Sequence, residues 1–158
     1  MTYLASSVIG ADFTNVDTTP KFPIGTRTRG IDPVYGEGEF IYLKGVASTA
    51  VGLAATYNLN ANTTTLTVAG ARGPVAVAMA ATVASTYGWY QVYGAAIVKT
   101  GTILANKALY VTATPGSLDD AVVAGDMIVG AVSATADGTP SAGYAIVQLA
   151  NPVLTALG

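Results

Sequence analysis

The stretch Tyr87-Gly88-Trp89-Tyr90-Gln91-Val92-Tyr93-Gly94-Ala95-Ala96-Ile97-Val98-Lys99 decides the fold class. Aromatic and β-branched side chains crowd it, and these fit the pleated, half-buried surface of a strand. Gly94 divides it into two β-prone runs, Trp89 to Tyr93 and Ala95 to Lys99, each of strand length. Alternate residues of a strand share a face. Tyr87, Trp89 and Tyr93 therefore fall on one side, with Gln91 interrupting the aromatic row. Two roles fit that row. Trp89 could anchor a core with the tyrosines at its rim, or the aromatics could meet a partner, where such side chains dominate binding energy. Stacking on single-stranded nucleic acid needs a basic groove beside the rings, and none accompanies them.

The same texture recurs on either side. Glu39 to Lys44 is a short strand-like run, and Thr64 to Val68 alternates, with Leu66 and Val68 opposite Thr65 and Thr67. Val75, Val77 and Met79 alternate with Ala76, Ala78 and Ala80. Leu109 to Thr112, Met127 to Val129 and Tyr144 to Leu149 complete the set. Turn signals separate them at Gly70-Ala71-Arg72-Gly73-Pro74, Thr114-Pro115-Gly116-Ser117 and Asp137-Gly138-Thr139-Pro140. Ala76 to Ser85 has enough alanine for a helix, but its Val, Thr and flanking Gly favour a strand and then a loop. Leu118 to Ala124 carries the signals of one helical turn, with Ser117 as N-cap and Asp119 and Asp120 in the first turn. Many short strands at this spacing predict an all-β fold, a compact β-barrel or β-sandwich of short antiparallel strands.

Composition agrees and narrows function. Ala, Gly, Thr and Val make up more than half of the 158 residues, a length that suits one domain. Charged residues are 10% of the chain, against about 25% in ordinary soluble domains. Between Gly45 and Leu118 there is no acid, and the only cations are Arg72, Lys99 and Lys107. Beyond Leu118 come Asp119, Asp120, Asp126 and Asp137 with no base, a stretch expected on a solvent-facing or subunit-facing side. A surface this poor in charge suits a chain covered by other protein.

With no Cys and no His, disulfides, the common zinc sites, a Ser-His-Asp triad and a Cys-His pair are excluded. Asp119, Asp120 and Asp126 lack the alternating oxygens and terminal Glu of an EF-hand. Nothing marks two carboxylates for glycosidase work. Gly36-Glu37-Gly38 precedes a strand instead of following one, so it is no dinucleotide loop and reads as a flexible joint. No enzyme activity, cofactor or metal is expected. The net charge of −2 and the scattered cations argue against nucleic acid. Met1 to Phe13 lacks the basic start of a signal peptide, and the longest apolar run, Val75 to Ala84, is too short to span a bilayer. The expectation is a chain made and used without crossing a membrane.

Residues 1–36 differ from the rest. They hold Lys21, Arg27 and Arg29, three prolines (Pro20, Pro23, Pro33) and no clear period. Proline removes backbone donors and holds its neighbours extended. The segment reads as an extended N-terminal arm that orders along a neighbour, with 37–158 as the β-rich body.

Several runs carry a resemblance: Gly38-Glu39-Phe40-Ile41-Tyr42-Leu43-Lys44-Gly45-Val46, Gly73-Pro74-Val75-Ala76-Val77-Ala78, Tyr87 to Gly94, and Leu109-Tyr110-Val111-Thr112-Ala113-Thr114-Pro115-Gly116. Together they resemble head proteins of tailed bacteriophages. Ala124-Gly125-Asp126-Met127-Ile128-Val129-Gly130-Ala131, a polar turn, and Tyr144 to Leu149 look like the closing hairpin of capsid decoration (cement) proteins. The resemblance implies a small β-rich protein on the outer capsid surface of the virion, assembled in the host cytoplasm. It implies a homotrimer that binds the major capsid protein, clamps neighbouring capsomers and carries no enzymatic site.

The sequence reading is therefore a structural protein that stabilises an icosahedral phage head. Phe22, Ile24, Arg27, Arg29 and Tyr35 of the arm are the expected contacts with the capsid or a neighbouring subunit. Trp89, Tyr90 and Tyr93 are expected to serve core or subunit packing. The alternative is a carbohydrate-binding or adhesion module on the virion surface, since β-barrels with exposed aromatics bind sugars.

Overall fold

Eleven strands, all paired antiparallel, form one continuous sheet in the computed structural model, which describes residues 4–5 and 8–155. In chain order they are β1 (Leu4–Ala5), β2 (Arg27–Asp32), β3 (Gly36–Lys44), β4 (Ala54–Asn58), β5 (Thr63–Leu66), β6 (Gly73–Ala78), β7 (Tyr87–Lys99), β8 (Ala108–Val111), β9 (Leu118–Asp119), β10 (Met127–Ser133) and β11 (Tyr144–Thr155). The order across the sheet is β1-β2-β3-β7-β6-β11-β10-β8-β9, with β4 joining β6 and β5 at one side. The expected all-β fold is thus the observed one, and no helix occurs among the described residues.

The two runs around Gly94 are a single strand. Gly94 has φ +91°, a conformation that costs glycine nothing, and β7 continues through it, two residues past a bulge at Val92. Before the bulge β7 pairs β3 and β6, and after it β7 pairs β11. The end of β11 returns to β6. Mutual pairing of these three strands bends the sheet back on itself. Strands buried on both faces then lose the alternating pattern. In β3, Ile41 and Leu43 enter a core with Tyr57, Leu66, Ala76, Ala78, Tyr90 and Val92. Its Phe40 and Tyr42 point the other way, into an aromatic cluster with Phe13 and Trp89. A third core lies between β6, β7, β8, β10 and β11, around Val75, Val98, Ile103, Leu109, Leu118, Ile128 and Leu154.

The aromatic cluster is closed by the N-terminal segment. Phe13 is 2% exposed and stacks on Phe40 with ring centroids 4.0 Å apart. Phe22 packs edge-on to Tyr42 at 5.3 Å and against Trp89 at 5.3 Å. Of the expected arm, residues 1–3 and 6–7 lie outside the described residues. Its described remainder rests on the body of the same chain, and residues 27–32 are a strand of the sheet. Gly36-Glu37-Gly38, read as a joint, opens β3 and pairs with Gly30–Asp32. Residues 156–158 of the expected body also lie outside the described residues.

Three local expectations need correction. Leu118 to Ala124 forms no helical turn, because Leu118 pairs with Val111 and is buried in the third core. Val68 is exposed and Thr67 buried, the reverse of strand alternation, because β5 ends at Leu66. The acid-only stretch is not uniformly at the surface. Asp126 is buried, where its Oδ1 accepts the Gly70 amide at 2.9 Å and Arg72 Nη1 at 3.3 Å.

Candidate interaction surfaces

The β2–β3 hairpin carries a charge ladder. Asp32 Oδ1 accepts the amides of Val34 (2.8 Å) and Tyr35 (2.9 Å) and folds the turn. The register sets Arg29 opposite Glu39, Arg27 opposite Ile41 and Ile31 opposite Glu37. Alternation turns Thr28, Gly30 and Asp32 inward and leaves the arginines outside. Arg27 Nη1 donates to Glu39 Oε1 at 2.8 Å and to Asn151 Oδ1 at 2.8 Å, and Nη2 donates to the Tyr57 hydroxyl at 3.3 Å. Arg29 Nη1 donates to Glu37 Oε1 at 3.2 Å, and its Nε lies 3.9 Å from Glu39 Oε2. Two cations and two anions thus cancel.

Beside the ladder runs a groove with two lobes, of about 300 Å³ and about 590 Å³, which share Glu37 and Tyr93. Gly94 and Gly130 (φ +83°), beside the bulges of β7 at Val92 and of β11 at Ala150–Pro152, shape it. A side chain at Gly94 would lie 2.3 Å from the Glu37 carbonyl, so only glycine lets the hairpin approach β7 this closely. Tyr93 is 47% exposed, the only exposed aromatic side chain among the described residues. Tyr35 borders the larger lobe.

A separate groove of about 340 Å³ is mostly apolar. Val16, Val51, Met79, Ala81 and Ile97 line it. Ile97 pairs across to Ile146 on the outward side of the β7–β11 sheet. On one side of it the next row is Ala95, Gln148 and Val132, which lines the larger lobe of the first groove, and on the other side Lys99 pairs with Tyr144. Val16 reaches this groove because Asp17 is anchored. The Asp17 carboxylate accepts the Tyr42 hydroxyl, Asn15 Nδ2 and Lys21 Nζ, each at 2.7 Å. Its backbone exchanges two hydrogen bonds with Tyr87. Burial alone would push the Asp17 carboxyl up, but Lys21, Tyr42 and Asn15 outweigh it and hold it below the ordinary carboxylate value. Burial and the neighbouring carboxylate push the Tyr42 phenol up to about 12.

The eight residues singled out in the sequence separate into two groups. Arg27, Arg29, Tyr35 and Tyr93 come together on or beside the two-lobed groove. Phe22 and Ile24 are half-buried against the aromatic cluster, and Trp89 and Tyr90 are buried on opposite faces of β7. The Tyr90 hydroxyl is hydrogen-bonded to Thr82, and burial pushes its phenol up. Trp89 and Tyr90 are buried within the cores of their own chain. Glu37, Glu39, Gln148 and Asn151 escaped sequence reasoning. For the glutamates the signal was available in Arg27-x-Arg29 and Glu37-x-Glu39, opposite charges at strand spacing on either side of Asp32-Pro33-Val34-Tyr35-Gly36; Gln148 and Asn151 carried none. Among the described residues, no three acidic side chains gather as a metal site, and no helix is long and apolar enough to cross a membrane. No protein-family model, curated protein or solved structure matches the chain.

Proposed function

We propose that this chain is a structural protein of a tailed-bacteriophage head, bound as a homotrimer to the outer surface of the icosahedral shell, where it bridges capsomers of the major capsid protein. The observation that carries this reading is the apolar groove of Val16, Val51, Met79, Ala81 and Ile97. An exposed apolar groove is a place where another protein can dock. Its burial yields roughly 25 cal/mol per Å² before the costs of association. Repetition over a symmetric shell multiplies a modest contact.

The test is the heat release of DNA from heads prepared without the chain and then reloaded with it. Reloading should raise the release temperature. The Val51→Asp variant should fold normally, since Val51 is 53% exposed, and should give little protection. Identical release temperatures with and without the wild-type chain would count decisively against a stabilising role.

A further inference from the structure

We infer that the two-lobed groove around Tyr93 is a binding site for an uncharged saccharide. The site is distinct from the apolar groove assigned to shell contact. Tyr93 and Ile97 are four positions apart on β7, about 13 Å at roughly 3.3 Å per residue.

Four observations select the ligand class. First, the lobes fall at the lower end and the middle of the range for small-molecule sites, about 300–1,000 Å³. Second, the lining carries one cation, Arg29, and two anions, Glu37 and Glu39, all ion-paired. Glu37 is paired with Arg29 in the lining and Glu39 with Arg27 beside it, which disfavours a phosphate or a sulfate and leaves no unpaired carboxylate for a cation. Third, the groove is not apolar. Arg29, Glu37 and Asn151 line one lobe, and Gln148 lines the other. Carboxylate, guanidinium and primary amides supply donors and acceptors in the paired geometry that vicinal hydroxyls satisfy. Arg27 occupies Asn151 Oδ1, which fixes the amide and leaves its NH2 group as the donor. Fourth, Tyr93 offers an exposed ring between the two lobes, with Tyr35 at the border of the larger. An aromatic face packs on the C–H face of a pyranose while the ring edges hydrogen-bond. A neutral ligand with hydroxyl edges and an apolar face is a saccharide.

The bulges support a built site. Register shifts at Glu39/Phe40 and at Gly130 meet the left-handed Asn151 (φ +48°) around one groove. Bulges interrupt strand pairing and expose backbone groups. Gly38, Gly94 and Gly130 line the groove without side chains, so a ligand can reach the backbone.

Saturation-transfer NMR on the full chain tests this with maltotriose, cellotriose, mannotriose and the trimer of N-acetylglucosamine. At least one should receive saturation at its ring protons. Tyr93→Phe should keep binding, because stacking needs the ring and not the hydroxyl. Tyr93→Ala should weaken it about tenfold with an unchanged unfolding midpoint, since half of this side chain is in solvent. Gln148→Ala should weaken it as well. Silence across the four saccharides overturns the inference, and so does transfer that survives Tyr93→Ala. Shell binding is read separately through Val51→Asp, so failure of one reading leaves the other standing.

Discussion

Replacing Gly94 with alanine separates two physical costs that glycine avoids. Gly94 has φ +91°, and an added Cβ would lie 2.3 Å from the Glu37 carbonyl oxygen and 3.1 Å from Gly38 Cα. Both obstacles are backbone, which cannot rotate aside. Gly138 has the same φ of +91° but nothing within 4 Å of an added Cβ. Gly138→Ala therefore carries only the backbone strain, about 1–3 kcal/mol. Gly94→Ala carries that strain and must also push the start of β3 off β7, a further cost of about 1–3 kcal/mol by analogy with overpacking. The assay is equilibrium urea unfolding of both variants, read by the fluorescence of Trp89. The reasoning predicts that Gly94→Ala is the more destabilised by at least about 1 kcal/mol. Equal losses, within about 0.5 kcal/mol, would refute the close approach of the hairpin to β7.

Two further outcomes follow from the N-terminal segment. Phe13→Ala should destabilise the chain by about 3–5 kcal/mol, because Phe13 stacks inside the aromatic cluster. A segment free of the body would lose almost nothing in the same unfolding curve. Asp17 predicts a pH dependence. Its folded carboxyl sits below the ordinary value of about 3.9, so its stabilisation is present above that value and is lost as pH falls through the folded one. Urea midpoints of wild type and Asp17→Asn should lie well apart at neutral pH and converge in acid below about pH 4. A gap that stays constant into strong acid would show that the carboxylate contributes nothing.

The strands with alternating or aromatic runs were legible because local pattern reports local burial. Phe40 to Leu43 and Trp89 to Val92 read as strands, and they are strands. β4 was not legible, since Ala54, Ala55, Thr56 and Tyr57 are all buried and show no alternation. β2 was hidden by its place in a proline-bearing segment, where glycine and arginine suggested an arm. Its partner, β3, lies only four residues on, but pairing is a property of two strands and not of one. The same reason explains the site. Arg29, Tyr35 and Glu37 are near in sequence, but Tyr93, Gln148 and Asn151 reach them only because β7 and β11 fold alongside the hairpin.

The amino-acid sequence alone determined that this chain is all β. Small, β-branched and aromatic residues with frequent glycine suit no other packing, and the missing His and Cys closed whole classes of chemistry. Tertiary structure decided the rest. Gly94 reads as a break, yet φ +91° beneath the Glu37 carbonyl makes it the bend of one long strand. Trp89 and Tyr93 read as one aromatic row. The bulge and the covering Phe13 bury the first and expose the second, because exposure depends on what the rest of the chain places above a residue.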